Sequence, residues 1–206
     1  NRVPIIEKNV QDEKIKKLAS TVNKSGKILH TLVIKTMRYI SVSSIDFSTN
    51  FQNISVYNTV SKVIDEYKHE LDENGLHIKV EIPQDLLLMV DEKLFEEILN
   101  ELISNAIKFA SNSGEIALSS SIIDDMIRFS FSDSGIGLTE EQIDNVFDEF
   151  YKCDESRHDL SSNGLGLSII KKIIEKLDGE IWVESPGLGK GSTFYFTLPT
   201  LTESET

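Results

Sequence analysis

Helical and strand-like patterns alternate through most of this 206-residue chain, and their order limits the folds that it can adopt. Four segments place apolar residues at helical spacing: 56–71, 91–109, 140–147 and 167–177. Five segments alternate apolar and polar residues in the manner of strands: 76–82, 114–121, 126–133, 180–185 and 192–198. The sequence therefore predicts an α+β fold, in which helices cover one face of a sheet.

The first part of the chain differs, because a single long amphipathic helix, from 12 to 45, accounts for most of it. Its apolar residues follow three- and four-residue spacing along one face: Ile15, Leu18, Val22, Leu29 and Leu32. A helix of this length with one apolar face needs a partner, either another helix upstream or the same helix of a second chain. Packing against its own domain is the alternative.

The charge and the cysteine content exclude several functions. With 34 acidic and 21 basic residues the net charge is -13, so we expect no nucleic-acid surface, which needs clustered lysine and arginine. The single cysteine, Cys153, excludes an internal disulfide and lacks partners at zinc-ligand spacing, so we expect an unreactive surface thiol. No apolar run spans a bilayer and no signal peptide is present, which predicts a cytoplasmic chain. The start at Asn1 suggests a segment of a longer protein, which could itself be membrane-anchored.

Three polar residues share one face of the helix predicted at 91–109. Glu101, Asn105 and Lys108 are spaced at i, i+4 and i+7. An amide oxygen suits a hard cation and an ammonium group suits phosphate, so the trio fits a magnesium-bound phosphate chain. A solvated helix face is the alternative.

Two glycine-containing motifs follow. In "DSGIGL", Asp133 can accept a hydrogen bond from an exocyclic amine, while Gly135 and Gly137 permit a tight turn and the approach of a flat ring. In "NGLGLSI", Gly164 and Gly166 open a helix whose first N–H groups can point at an anion. Each motif alone could be an ordinary turn, but their order, with the polar loop 151–164 between them, favours a ligand site.

The segments "NELISNAIKF", "DSGIGL", "FDEFYK" and "NGLGLSI" resemble the N box, first glycine box, F box and second glycine box of sensor histidine kinases. The resemblance covers about residues 50 to 200 and extends to the gyrase, Hsp90 and MutL ATPases. It implies the Bergerat fold, a two-layer α/β sandwich of a mixed, mostly antiparallel sheet and three helices, with ATP under a flexible lid. The helix at 12–45 is similar to the second helix of the dimerisation and phosphoacceptor hairpin. The implied domains are 1–48, 49–200 and a disordered tail, 201–206.

The resemblance also implies roles for single residues. Asn105 would bind Mg²⁺ and Lys108 a phosphate, while Glu101 would polarise the attacking nucleophile. Asp133 would bind the adenine amino group. The other nucleotide-binding residues implied are Phe109, Gly135, Gly137, Tyr151, Lys152, Arg157, Gly164, Leu165 and Gly166. Phe147 and Phe150 would anchor the start of the lid by packing.

The implied function is Mg-ATP binding and transfer of the γ-phosphoryl group to a histidine, then to a response regulator, in a homodimer formed through the hairpin. No phosphoacceptor motif surrounds His30, His69, His77 or His158, so the acceptor is expected outside this chain, which then cannot phosphorylate itself. Ser162 replaces the first glycine of the second glycine box. Two alternatives remain: an ATP hydrolase, favoured by Glu101, and a non-catalytic nucleotide-sensing or dimerisation module, favoured by Ser162 and the missing acceptor.

Overall fold

The structure, a computed structural model, describes residues 13–110, 114–153 and 164–200. Three residues of the predicted lid, Arg157, His158 and Ser162, lie outside the described residues. So does the tail, 201–206. The predictions for these positions are therefore not tested by the structure.

The helices and strands follow the predicted order with two additions. The helices are α1 (Glu13–Ser43), α2 (Val56–Glu73), α3 (Glu92–Phe109), α4 (Glu140–Asn145) and α5 (Gly166–Lys176). The strands are β1 (Gln52–Ser55), β2 (His77–Glu81), β3 (Leu87–Val90), β4 (Glu115–Ile123), β5 (Met126–Asp133), β6 (Ile181–Glu184) and β7 (Ser192–Pro199). The predictions missed β1 and β3, which pair with each other in a separate two-stranded antiparallel sheet.

The main sheet has five strands in the order β2-β4-β5-β7-β6. Strand β2 runs parallel to β4, and the other pairs are antiparallel. The sheet is therefore mixed and mostly antiparallel, as the resemblance implied. The hairpin between β4 and β5 turns at Asp124, whose φ of 53° is in the left-handed region that aspartate tolerates better than most residues.

The core lies between this sheet and the helices. Phe95 of α3 packs against Phe129 of β5 with 5.5 Å between ring centroids, and Phe129 stacks on Phe196 of β7 at 4.7 Å. All three side chains are fully buried, because the strands alternate buried and accessible residues and turn the buried set towards the helices. The predicted two-layer α/β sandwich is confirmed.

Helix α3 starts at a well-formed cap. The Asp91 side chain accepts hydrogen bonds from the backbone N–H groups of Lys93 at 3.1 Å and Leu94 at 3.3 Å, which satisfies donors that the first turn leaves unpaired. It also accepts from the backbone N–H of Asn50 at 2.8 Å. The cap fixes where the helix begins, and therefore which residues of α3 face α5 and which face the sheet.

Helix α1 has two faces with different surroundings. One face packs on the rest of the chain through the fully buried Val42 and the partly buried Leu32 and Tyr39. Leu32, which was predicted to belong to the apolar stripe, therefore lies on the packed face. The rest of the stripe lies on another face and remains exposed: Ile15, Leu18, Val22, Leu29, Val33, Met37 and Ile40. Among the described residues, no helix has the length and apolar character needed to cross a membrane.

Candidate functional site

One cleft between α3, α5 and the loop after β5 gathers most of the predicted site residues. Those that line it are Glu101, Asn105, Lys108, Phe109, Asp133, Gly137, Tyr151, Lys152, Gly164 and Gly166. Gly135 and Leu165 do not line the cleft, and Leu165 is buried in the core. The cleft therefore unites residues from four separate segments of the sequence.

The polar residues of α3 point into this cleft as their spacing predicted. The partly buried Asn105 side chain lines it and has no hydrogen-bond partner among the described residues. The Lys108 ammonium lies 5.1 Å from the ring centroid of Phe109, a cation–π distance that orients both groups at the end of the helix. This face of α3 thus offers an amide and a cation within one cleft.

Asp133, the last residue of β5, is held by two hydrogen bonds. Its Oδ1 accepts from the backbone N–H of Gly135 at 2.8 Å, and its Oδ2 accepts from the Ser192 hydroxyl at 2.6 Å. Ser192 is opposite Asp133 in the β5–β7 ladder and also lines the cleft. Ser192 was not among the predicted site residues, because its position at the start of a predicted strand does not by itself indicate a contact with Asp133. The two bonds fix the direction in which Asp133 can accept a further hydrogen bond.

Gly135 and Gly137 lie so close to other backbone segments that neither position has room for a side chain. A Cβ on Gly135 would lie 2.5 Å from the Phe109 carbonyl oxygen, which accepts a hydrogen bond from Ile136 N–H at 3.1 Å. A Cβ on Gly137, where φ is +66°, would lie 2.2 Å from the Gly187 carbonyl oxygen. Both glycines were predicted to permit a tight turn and the approach of a flat ring. The close backbone neighbours explain the turn, and only Gly137 also borders the cleft.

The part of the cleft near Asp133 is apolar. Its lining includes Ala106, Ile136, Leu138, Val146 and Phe194. The aromatic ring of Phe147 meets that of Phe194 edge-on, with centroids 6.2 Å apart, so Phe147 packs as predicted. A flat apolar ring with an amino group fits this environment, because its faces can contact the side chains while Asp133 accepts from its edge.

Two residues that precede the segment 154–163, Phe150 and Cys153, differ from the predictions in how far their side chains are exposed. Phe150 was predicted to anchor the lid by packing, which is wrong, because its side chain is 60% exposed and its φ is 63°. Its backbone supplies the contact instead, since Phe150 N–H donates to the Gly164 carbonyl at 2.8 Å. Cys153 was predicted to be a surface thiol, but it is partly buried and lines the cleft.

Tyr151 lines the cleft beside Lys152. Loss of solvation, followed by the charges of Cys153, Glu141 and Asp148, raises the pKa of the Tyr151 hydroxyl above its ordinary value. The phenol therefore stays protonated at neutral pH and can donate a hydrogen bond to an anionic group.

Helix α5 begins at the cleft without a side-chain cap. Its N-cap residue, Leu165, makes no side-chain capping hydrogen bond, and Gly166 forms its first turn. The N-terminus of a helix without a cap attracts negative charge. In this structure the negative group at that position is the carboxylate of Glu101, since a Cβ on Gly166 would lie 2.1 Å from Glu101 Oε2.

Helix α1 also contributes to the cleft, which the sequence analysis did not foresee. Lys35 lines it and places its Nζ 2.5 Å from Glu101 Oε1. One turn further along, Arg38 makes a bidentate contact with Glu97, through Nε at 3.0 Å and Nη2 at 2.5 Å. The hydrogen bond with Glu97 raises the pKa of Arg38.

A metal ion would find few ligands in the protein alone. Among the described residues no cluster of three or more histidine, cysteine, aspartate or glutamate side chains could hold one. A cation in this cleft would need oxygen ligands from an anionic molecule in addition to the Asn105 amide oxygen.

Comparisons with known proteins agree with this geometry. The profile of the family described as "Histidine kinase-, DNA gyrase B-, and HSP90-like ATPase" matches residues 90–202. Sensor histidine kinase WalK of Bacillus subtilis (strain 168) is 30% identical over 191 residues, covering 91% of this chain and 31% of that protein. The chain thus spans less than a third of that relative's length.

Two solved structures share the fold. Full-length ShkA in complex with AMPPNP aligns with a TM-score of 0.78 at 22% identity, covering 98% of this chain and 42% of that chain. Histidine kinase ThkA in complex with response regulator protein TrrA aligns with a TM-score of 0.75 at 24% identity, covering 98% of this chain and 57% of that chain. In both alignments the likeness extends over α1 as well as the sandwich.

Proposed function

Because the chain belongs to the histidine kinase-, DNA gyrase B- and HSP90-like ATPases, we propose that it binds Mg-ATP in this cleft as the catalytic core of a sensor histidine kinase. One observation carries the proposal. A fixed acceptor, Asp133, lines the same partly apolar cleft as Asn105, Lys108 and the N-terminus of α5, which has no side-chain cap. ATP has the matching parts, an aminopurine and a polyphosphate.

The adenine ring lies against the apolar wall and donates from its amino group to Asp133. Phe109 flanks the ring, and Gly137 borders it. The phosphates extend towards Lys108, Tyr151 and Lys152, with the turn 164–166 beneath them. Arg157, which we also propose as a phosphate ligand, lies outside the described residues. Asn105 would hold Mg²⁺ through its amide oxygen, and the ion would supply positive charge that offsets the charge of the phosphates.

The reaction is transfer of the γ-phosphoryl group to a histidine. Because phosphoryl transfer leaves little covalent chemistry to the protein, the residues act mainly by holding the phosphates and by stabilising their charge. We assign to Glu101 the role of accepting a hydrogen bond or a proton from the attacking nucleophile. Among the described residues, none that lines the cleft is a histidine, and we propose that the acceptor belongs to another helix, with α1 as one half of a hairpin.

The proposed partners are a second copy of the chain and a response regulator. The exposed apolar stripe of α1 supports the first, because a helix hairpin in a dimer would cover it. The second follows from the family: the ThkA structure of similar fold contains the response regulator TrrA.

The test is titration of a fluorescent ATP analogue, with and without Mg²⁺, against the wild type, Asp133→Asn and Asn105→Asp. We expect saturable binding by the wild type and a loss of about tenfold or more with Asp133→Asn, because a charged acceptor becomes a neutral amide. Asn105→Asp should also weaken binding, because the added carboxylate repels the phosphates.

The matched control is Asp124→Asn in the β4–β5 hairpin, where asparagine also tolerates the positive φ. It should bind like the wild type. If a wild type that is folded by circular dichroism does not bind the analogue, the proposal is wrong.

A second candidate, an ATP hydrolase, is favoured by one observation, the presence of Glu101 in the cleft. It predicts release of inorganic phosphate without any acceptor histidine. This release should disappear in Glu101→Gln while nucleotide binding remains, because the amide keeps the size of the side chain and removes its basicity.

A further inference from the structure

Both oxygens of the Glu101 carboxylate have close neighbours, and one of them accepts a hydrogen bond. Oε1 accepts a hydrogen bond from the Lys35 ammonium at 2.5 Å. Oε2 lies so close to Gly166 that a Cβ added to this glycine would be only 2.1 Å from it. The Glu101 side chain is 22% exposed and that of Lys35 is 31% exposed, so the pair is partly shielded from water. A carboxylate that already accepts a charge-assisted hydrogen bond is a poorer acceptor for a further proton.

Lys35 is held in this position by the docking of α1. On the same face of the helix, Arg38 binds Glu97 of α3 in bidentate fashion and the Tyr39 hydroxyl donates to Glu149. Near the C-terminal end of α1, the Lys176 ammonium donates to the Ser44 carbonyl at 3.1 Å. Val42 is completely buried between these contacts. The Lys35–Glu101 contact therefore depends on where the helix lies, because each of these bonds would break if α1 moved away.

We propose that Lys35 is a positioning residue that withholds Glu101 from the attacking nucleophile while α1 is docked. The inference rests on the proposed function and deepens it, because it links the position of the helix to the reactivity of the same site. When α1 is displaced, Lys35 leaves and Glu101 is free to orient the nucleophile.

The step can be observed with water as nucleophile. The water oxygen forms a bond to the γ-phosphorus, its proton passes to the Glu101 carboxylate, and the bond to the β,γ-bridging oxygen breaks, with the electron pair leaving on ADP. The proton then passes to solvent, so that ATP and water give ADP, inorganic phosphate and a proton. Binding of ATP does not require Glu101 to be free, so the kcat of hydrolysis should respond to Lys35 and the affinity should not.

The experiment compares steady-state phosphate release and nucleotide affinity in three variants of the chain. Lys35→Gln should raise kcat about tenfold, a part of the roughly 10²- to 10⁴-fold that a positioned base contributes, with affinity unchanged. Lys35→Arg should keep the wild-type rate, because it retains the cation. In the double variant Lys35→Gln/Glu101→Gln the gain should disappear, since the amide cannot take the proton.

Lys62→Gln is the matched control. The Lys62 ammonium of α2 lies 2.5 Å from the carboxylate of Glu96, which is on α3 like Glu101. Neither residue lines the cleft, so Lys62→Gln should leave kcat unchanged. An unchanged or lower kcat in Lys35→Gln, with binding intact, would overturn the inference and leave the proposed function standing. Weaker nucleotide binding in Lys35→Gln would also overturn it, because Lys35 would then be a ligand of the phosphates. Absence of nucleotide binding by the folded wild type would overturn both.

Discussion

At Gly137 the addition of a single methyl group, as in alanine, would destabilise the fold. The backbone there has a φ of +66°, and a Cβ would lie 2.2 Å from the Gly187 carbonyl oxygen. The neighbouring loop is tied to the same turn, because Gly189 N–H donates to the Ile136 carbonyl at 2.6 Å and Gly191 N–H donates to the Gly135 carbonyl at 3.1 Å. The turn after Asp133 therefore cannot move aside without loosening one side of the cleft.

We expect Gly137→Ala to lower the free energy of unfolding by about 2 kcal/mol or more, since a left-handed backbone strains an L side chain and the carbonyl blocks it. Gly26→Ala is the control, because a Cβ on Gly26 meets nothing within 4 Å and alanine favours a helix interior by about 0.5–1 kcal/mol. Urea unfolding of both variants measures the difference. Equal or greater stability of Gly137→Ala would show that the close approach to Gly187 is not present in solution.

At the scale of whole elements, the contact between α1 and the sandwich depends on hydrogen bonds that titrate. The Tyr39 hydroxyl donates to Glu149, which raises the pKa of Tyr39 above 10.0 and lowers the pKa of Glu149 below 4.5. A lowered carboxylate pKa contributes stability that is present above pH 4.5 and is lost as the pH falls through the folded-state value. A raised tyrosine pKa contributes stability that is present below pH 10 and is lost as the pH rises through its folded-state value.

Tyr39→Phe should therefore destabilise the docking of α1 between about pH 5 and pH 9 and have a smaller effect in acid, as Glu149 becomes protonated. Hydrogen exchange of the α1 backbone amides, compared between wild type and variant at several pH values, measures the effect. Tyr57→Phe is the control, because Tyr57 lies in α2, away from α1. A difference between wild type and Tyr39→Phe that grows as the pH falls below 4 would contradict the assigned bond.

A helix or strand could be predicted from the sequence where the apolar pattern of its own residues was sufficient. Helix α3 and the strands β4 and β5 were predicted to within three residues, because each carries a full apolar pattern. Strands β1 and β3 were missed because neither alternates apolar and polar residues: β1 lies in a polar stretch, and β3 is a short apolar run. The predicted trio of α3 does reach the cleft, because spacing alone sets a helix face. Lys35 could not be found this way, since its role depends on how α1 packs against a distant segment.

At the scale of the whole molecule, the exposed apolar stripe of α1 is a surface that no other described part of the chain covers. Lys35, Tyr39 and Val42 recur at helical spacing on the docked face, whereas Leu29, Met37 and other apolar residues lie on a different face in contact with water. Leu29 is 61% exposed and Met37 is 66% exposed. A single exposed leucine is ordinary, but a continuous apolar stripe along a 31-residue helix favours a partner.

We expect Leu29→Glu to weaken self-association of the chain by about tenfold or more, because it replaces a side chain whose burial contributes roughly 1.5–3 kcal/mol with a charge. Sedimentation velocity over a range of protein concentrations measures the dissociation constant. Ser20→Glu, an equally charged change on the opposite side of α1, should have little effect. If Leu29→Glu changes the docking of α1 instead, hydrogen exchange near Lys35 will increase with no change in association. Because the two faces of α1 are separate, substitutions on the stripe and at Lys35 test the proposed self-association and the proposed withholding of Glu101 independently.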